Sequence, residues 1–203
     1  VRRVLSQQAG KKVKVGHCGT LDPFATGLLL LVTGTECRNA MRYTKLDKTY
    51  EATIILGQTS TTGDPEGEIT PYVPEDAEMP TTPPSRQQLD KVLQHFIGEI
   101  RQRPPIFSAI KINGQRAYKL ARDGKEVELP ERTITIHSLE VLEYQYPRLV
   151  IRTRVSSGTY IRSLAVDIGG QLGTGAYCAA LRTAIADWPV AEAQQLQDFG
   201  IVD

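Results

Sequence analysis

The sequence predicts a single α+β domain of 203 residues, built on a largely antiparallel, mixed central sheet flanked by helices and loops. Three observations predict it. Residues 50–56 alternate, with Tyr50, Ala52, Ile54 and Leu56 on one side, and Leu149, Ile151, Thr153 and Val155 repeat that period, which belongs to half-buried strands. Two other stretches recur at helical spacing instead, Leu89, Val92, Leu93, Phe96, Ile97 and Ile100 in one, Ile161, Leu164, Ala165 and Ile168 in the other. Strands outnumber helices, and there is neither regular strand–helix alternation nor an internal repeat nor a clean domain boundary.

Taken in order, the chain starts at Val1 in mid-pattern, as though an upstream strand preceded it. Residues 28–32 are an unbroken apolar run, expected to be a buried strand covered on both faces. Gly57 closes the strand at 50–56, and residues 59–85, rich in Thr, Pro, Gly and acid, are expected to be a long surface connection. Ser85 followed by Gln88 resembles a capping box and opens the first helix, with His95 an exposed residue beside its apolar stripe. Pro104-Pro105 makes a rigid turn before an arm in which basic residues interleave with Phe107 and Tyr118. Strands are expected around 134–142 and 149–155, then a helix from Ile161 that Gly169-Gly170 ends, with Arg162 off its apolar face.

Several classes of function are disfavoured. The apolar run 28–32 is far below the roughly 18 residues of a membrane span, and no signal peptide opens the chain, so a cytoplasmic location is expected. Cys18, Cys37 and Cys178 are odd in number and lack zinc-like spacing, and His17, His95 and His137 are scattered. Neither a disulfide framework nor a metal is expected. The glycines fit no phosphate loop or dinucleotide fingerprint, and no Ser or Cys has a convincing His-acid pair. Net charge is only +1, yet residues 1–48 hold nine Lys and Arg against three acids, 49–99 two against nine, and 100–125 seven against one. Two basic blocks around an acidic one are compatible with a polyanion-binding face, although charge runs are commonly plain solvated surface.

Asp22 stands out, in Gly19-Thr20-Leu21-Asp22-Pro23 at the edge of the apolar run. A carboxylate there loses solvation and calls for a partner or a task, while the plainer reading is an ordinary Asp-Pro turn. Arg162 is the candidate counter-charge, its plainer reading a helix-surface arginine. Tyr50 starts a strand whose alternation turns it toward the core, where its hydroxyl wants a partner, and Tyr160 precedes the helix carrying Arg162, where ordinary packing is equally open. These residues alone do not name a reaction.

The segments GHCGTLDPFATGLLLL, KTYEATIILG, RPPIFSAIKINGQRAYKLAR and SSGTYIRSLAVDIG resemble, in that order, the successive motifs of the TruB-like tRNA pseudouridine-55 synthases. The resemblance spans nearly the whole chain and implies the pseudouridine-synthase fold, no cofactor, and a monomer acting on the T-arm of tRNA. It implies isomerisation of uridine to pseudouridine in the T-loop by flipping the base, with Asp22 the catalytic aspartate and Arg162 its partner. Whether the aspartate attacks the sugar, attacks the base or removes a sugar proton stays open. All three need an ionised carboxylate. By the same resemblance Tyr50 stacks on the flipped uracil and takes part in proton transfer, His17 fills the vacated place in the RNA, and Tyr160 and Leu181 line the base pocket. Residues 101–125 become an RNA-contacting thumb arm, with Lys111, Arg116, Lys119 and Arg122 as phosphate contacts.

The sequence also departs from the family pattern. Cys18 stands where Thr or Ser is usual and adds a thiol open to oxidation near the site. Ser156 replaces a frequent Cys. The usual N-terminal strand with its lysine-proline motif is missing before Val1, and nothing after Trp188 resembles a C-terminal RNA-binding domain, so residues 1–203 are expected to be a catalytic-domain fragment. Rival readings are an RNA-binding or RNA-folding module, a guide-RNA-dependent synthase subunit, and a small-molecule hydrolase with an aspartate nucleophile, which the basic arm disfavours.

Overall fold

The structure is a computed structural model that describes residues 1–74, 82–108, 110–112, 114–123, 129–185, 188 and 190–200, with the side chains of residues 111, 112, 116, 118 and 122 left undescribed. It opens with α1 (Arg2–Gln8), β1 (Val15–His17), β2 (Ala25–Gly27), β3 (Leu31–Thr33), α2 (Ala40–Thr44) and β4 (Lys48–Leu56). There follow β5 (Gln58–Ser60), β6 (Ile69–Pro71), α3 (Arg86–Gln94), β7 (Gly98–Gln102), β8 (Lys111–Ile112), β9 (Gln115–Arg116) and α4 (Ala117–Arg122). Last come β10 (Arg132–Gln145), β11 (Arg148–Val155), α5 (Ile161–Gln171) and β12 (Ala176–Ile185).

A six-stranded sheet in the order β2-β12-β4-β11-β10-β7 forms the body of the molecule, antiparallel at every step except the parallel β2–β12 pair. The predicted α+β class and largely antiparallel sheet are therefore observed. Alternation works as expected in β4, where Ala52, Ile54 and Leu56 are buried, and in β11, where Leu149, Ile151 and Val155 are. Against this face pack Leu89 and Leu93 of α3, Phe96 just beyond it, and Ile161, Leu164, Ala165 and Ile168 of α5. Burying a leucine or isoleucine side chain of this kind contributes about 1.5–3 kcal/mol, so the sandwiched helices and sheet account for most of the hydrophobic stabilisation. Among the described residues no helix is long and apolar enough to cross a membrane.

Four local expectations are corrected. The apolar run 28–32 is not one buried strand: residues 28–30 are a passage out of the large sheet, which the chain leaves at the end of β2, and only Leu31 and Val32 are in a strand, β3, paired with β1 in a two-stranded sheet. Gly27 makes the exit at φ +104°, and a Cβ there would lie 2.2 Å from the Thr183 carbonyl oxygen, so only glycine lets the chain cross β12 this closely. Leu29 is left 41% exposed. Residues 59–74 are not a bare surface connection, because β5 pairs with β6 and the turn between them buries Asp64; residues 75–81 lie outside the described residues.

The helix opened by Ser85 has its capping box, the Gln88 N–H donating to Ser85 Oγ at 3.3 Å and the Ser85 N–H to Gln88 Oε1 at 2.8 Å. It stops at Gln94, however, and Gly98 at φ +103° turns the chain into β7, so Ile97 is exposed and the last members of the apolar stripe belong to a turn and a strand. His95 is exposed, as expected.

Helix α5 runs through Gly169-Gly170 to Gln171 rather than ending there. Gly169 serves close packing instead: a Cβ would come within 2.4 Å of the Ala176 nitrogen where β12 begins. Gly169→Ala is accordingly expected to destabilise the fold by about 1–3 kcal/mol through overpacking, read as a lowered midpoint in urea at unchanged slope. Strand β12 itself, an interior strand between β2 and β4, is not foreseen from the sequence.

Candidate active site

Strand β12 brings the separate motifs together. In register, Leu181 lies opposite Ala25 of β2 on one side and Ala52 of β4 on the other, and the next inward position of β4 is Tyr50, opposite Thr183. Leu181 and Tyr50 are therefore diagonal neighbours on one face of the sheet, and Asp22 sits three residues before Ala25 in the loop that feeds β2. That loop is tightened by the Ala25 N–H donating to the Asp22 carbonyl at 2.9 Å, just where Pro23 bars a helix. Leu181 is 9% exposed, whereas the Asp22 side chain keeps 32% of its surface.

Arg162 answers Asp22 from the first turn of α5. Its Nε lies 2.9 Å from Asp22 Oδ2, off the N–H direction, and its Nη2 donates to Asp22 Oδ1 at 3.4 Å. The expectation that Arg162 lies off the buried face is overturned: the side chain is 5% exposed, because residues 161–165 are buried all round where α5 is covered on both sides. Three further groups hold the guanidinium. Nη1 donates to the Thr62 carbonyl at 3.2 Å and pairs with Asp64 Oδ2 at 3.1 Å, while Nη2 donates to the Phe107 carbonyl at 2.9 Å.

Asp64 is the member of this cluster that sequence reasoning missed. Its side chain is 5% exposed, and its Oδ1 accepts from Thr62 Oγ1 at 2.6 Å and from the Glu66 N–H at 3.0 Å. The signal was an aspartate after glycine inside a Thr-rich turn, which is also what any exposed turn looks like. Gly63, at φ +73°, docks this turn on α5 and accepts from the Cys178 N–H at 3.0 Å, where β12 shifts its register against β4.

One arginine thus serves two carboxylates, the inner one buried and the outer one facing the open. Burial raises the Asp22 carboxyl above its ordinary value despite the opposing pull of Arg162. Tyr50 is pushed up to about 12, first by burial and then by the charge of Asp22, so at neutral pH it is a phenol.

The remaining predicted residues are placed as follows. Tyr160 caps α5 two residues before Arg162, its N–H donating to Gln102 Oε1 at 2.9 Å and its carbonyl accepting from Gln102 Nε2 at 3.0 Å. His17 ends β1, exposed, with its Nδ1–H donating to the Gly19 carbonyl, and among the described residues it has no hydrogen bond or ion pair with Asp22 or Arg162. Lys119 is exposed on α4, whereas the side chains of Lys111, Arg116 and Arg122 lie outside the described residues. Cys18 does not carry an accessible thiol: it is 1% exposed, and burial raises its pKa, so it is a packed side chain rather than a reactive thiolate.

The family model described as TruB family pseudouridylate synthase (N terminal domain) matches residues 2–161. The chain belongs to this family. Among its TruB relatives, the tRNA pseudouridine synthase B of Parabacteroides distasonis is 47% identical over 87% of the chain and 73% of its own length. That of Phocaeicola vulgatus is 44% identical over 93% of the chain and 78% of its own length. A solved Cbf5-Nop10-Gar1 complex contains a similar chain with TM-score 0.60 and 29% identity, covering 84% of this chain and 40% of that one. The pseudouridylate-synthase resemblance of the four motifs and the observed sheet therefore lead to the same family.

Proposed function

We propose that the chain is a tRNA pseudouridine synthase that isomerises a uridine of the T-loop, position 55, to pseudouridine, residues 1–203 forming its catalytic domain. The observation that carries this reading is the pairing of Asp22 with a buried Arg162 at the end of the Tyr50 and Leu181 face. It supplies an ionised, oriented carboxylate beside an apolar surface on which a flat base can lie.

In this reading the target nucleotide leaves the RNA stack and enters the site. Leu181 and Tyr160 line the pocket, Tyr50 stacks on the uracil, and His17, exposed at the loop edge, fills the place the base has left. Asp22 starts the chemistry, the bond from the sugar to N1 breaks, the base turns, and a bond from C5 to C1′ forms. The proton lost from C5 and the one gained at N1 balance, so no redox partner is needed.

Purified protein incubated with a T-arm hairpin is expected to convert the one uridine that corresponds to position 55, read by mapping pseudouridine at every uridine. Binding without product would favour an RNA-binding or RNA-folding module. Product only with added RNA and proteins would favour the guide-dependent subunit, which the likeness to a multi-protein complex keeps in view. Conversion of the bare hairpin by the chain alone removes both.

The arm at 101–125 is assigned to the RNA backbone through Lys111, Arg116, Lys119 and Arg122. Replacing Lys111 and Lys119 with glutamine is expected to weaken hairpin binding and to lower the slope of log K against log salt by about 1 for each phosphate that is no longer neutralised. An unchanged slope would show that these lysines do not touch phosphate.

A further inference from the structure

Strand β10 begins with Arg132, directly opposite Gln102 of β7 in the sheet register. The two residues hold Tyr160 in different ways. Gln102, 1% exposed, takes both backbone groups of Tyr160 with its amide. Arg132 lies over the ring, its guanidinium carbon 4.6 Å from the ring centroid, a cation–π distance. Its Nε and Nη2 are buried and have no hydrogen-bond partner among the described residues.

Unpartnered buried donors on a cation cost desolvation free energy that no hydrogen bond returns, so Arg132 is a poor device for holding the sheet together. An apolar side chain of the same length would hold it at least as well. What the guanidinium does have is the ring face of Tyr160. With one face covered by the cation and the backbone pinned on both sides by Gln102, the ring has its plane fixed and presents only its opposite face and edge.

We propose that Arg132 is a positioning residue, retained to set the plane of the Tyr160 ring and with it the wall against which the flipped uracil is held. The proposal rests on the reading of Tyr160 as a wall of the base pocket. It assigns Arg132 no contact with RNA and no part in the proton transfers.

The test is a cycle of Arg132→Met and Tyr160→Ala, with Arg132→Lys as the conservative variant, read by single-turnover conversion of a T-arm hairpin, hairpin Kd and Tm. Arg132→Met is expected to slow conversion by about tenfold, to change Kd by less than about threefold, and to leave Tm unchanged or raised. Arg132→Lys recovers most of the rate, because the charge over the ring is kept. In the Tyr160→Ala background Arg132→Met costs nothing further, since the ring it positions is gone.

A lowered Tm at unchanged rate would overturn the proposal in favour of a structural role, and a full tenfold loss in the Tyr160→Ala background would show that Arg132 acts elsewhere. A Kd loss matching the rate loss would make it an RNA contact instead. If Tyr160→Ala is slowed and Arg132→Met is not, the proposal alone fails; if Tyr160→Ala converts at the full rate, the pocket reading fails with it.

Discussion

Asp22→Asn is expected to reduce pseudouridine formation by at least about a thousandfold while leaving the protein no less stable. The rate loss follows from chemistry: each route open to the aspartate needs an ionised carboxylate, and an amide neither attacks nor removes a proton at a useful rate. The stability follows from electrostatics. Burial raises the folded-state pKa of Asp22 above its unfolded value, so the folded chain binds the proton more tightly.

For a carboxyl shifted upward, stability falls as pH rises from the unfolded pKa to the folded one, and stays at the lower level above it. The asparagine variant escapes this cost, and Arg162 remains paired through Asp64 at 3.1 Å. The variant should therefore match the wild type at low pH and equal or exceed it at neutral pH, measured by thermal unfolding across that range. The same shift moves the acid limb of kcat/KM above where a solvated aspartate would place it, with activity lost as pH falls. A variant that is inactive but also much less stable at neutral pH would show that Asp22 is mainly a structural partner of Arg162.

What the sequence made legible was the local part of this arrangement. The alternation in β4 and β11 reports burial directly, because one face of each strand meets the helices and every second residue from Tyr50 to Leu56 and from Leu149 to Val155, Thr153 apart, is apolar or aromatic. The Ser85–Gln88 box is likewise a matter of four residues. Strand β12 was opaque for a physical reason. Its sequence carries a register shift between Cys178 and Ala180, and its small residues lie flanked by neighbours on both sides, so no clean period survives. The run at 28–32 misled because leucines serve equally in a strand and in a passage between two sheets, and only the contact of Gly27 with Thr183 decides between them.

The site divides in the same way. Asp22 was visible as a charge at the margin of a core, and Arg162 as its complement, although the burial of the arginine depends on two layers closing over α5. Asp64 was hidden because its burial is created by a turn folding onto a helix a hundred residues later, and its own neighbours, Thr62, Gly63 and Glu66, read as an exposed turn. Tyr160 could be named but not explained, since its supports are Gln102 of β7 and Arg132 of β10, far from it along the chain.

The dependence of both carboxylates on one cation leads to the second large effect. Arg162→Met is expected to lower stability by about 3–5 kcal/mol, because it leaves Asp64, almost fully enclosed, as a buried charge without a counter-ion. It should also lower turnover by at least about a hundredfold while hairpin affinity changes far less, since the guanidinium touches Asp22, Asp64 and two carbonyls rather than the outer surface. Arg162→Lys does not cure this, because one ammonium cannot reach the Asp22 carboxylate, Asp64, Thr62 and Phe107 together. Adding Asp64→Asn to Arg162→Met separates the two roles. With the inner charge gone, the double variant should regain most of the lost stability. Turnover should stay low, because Asp22 still lacks the cation that keeps it ionised and aimed. Recovery of turnover together with stability would mean that Arg162 serves the fold alone, and a loss of hairpin affinity as large as the loss of turnover would mean that it serves binding.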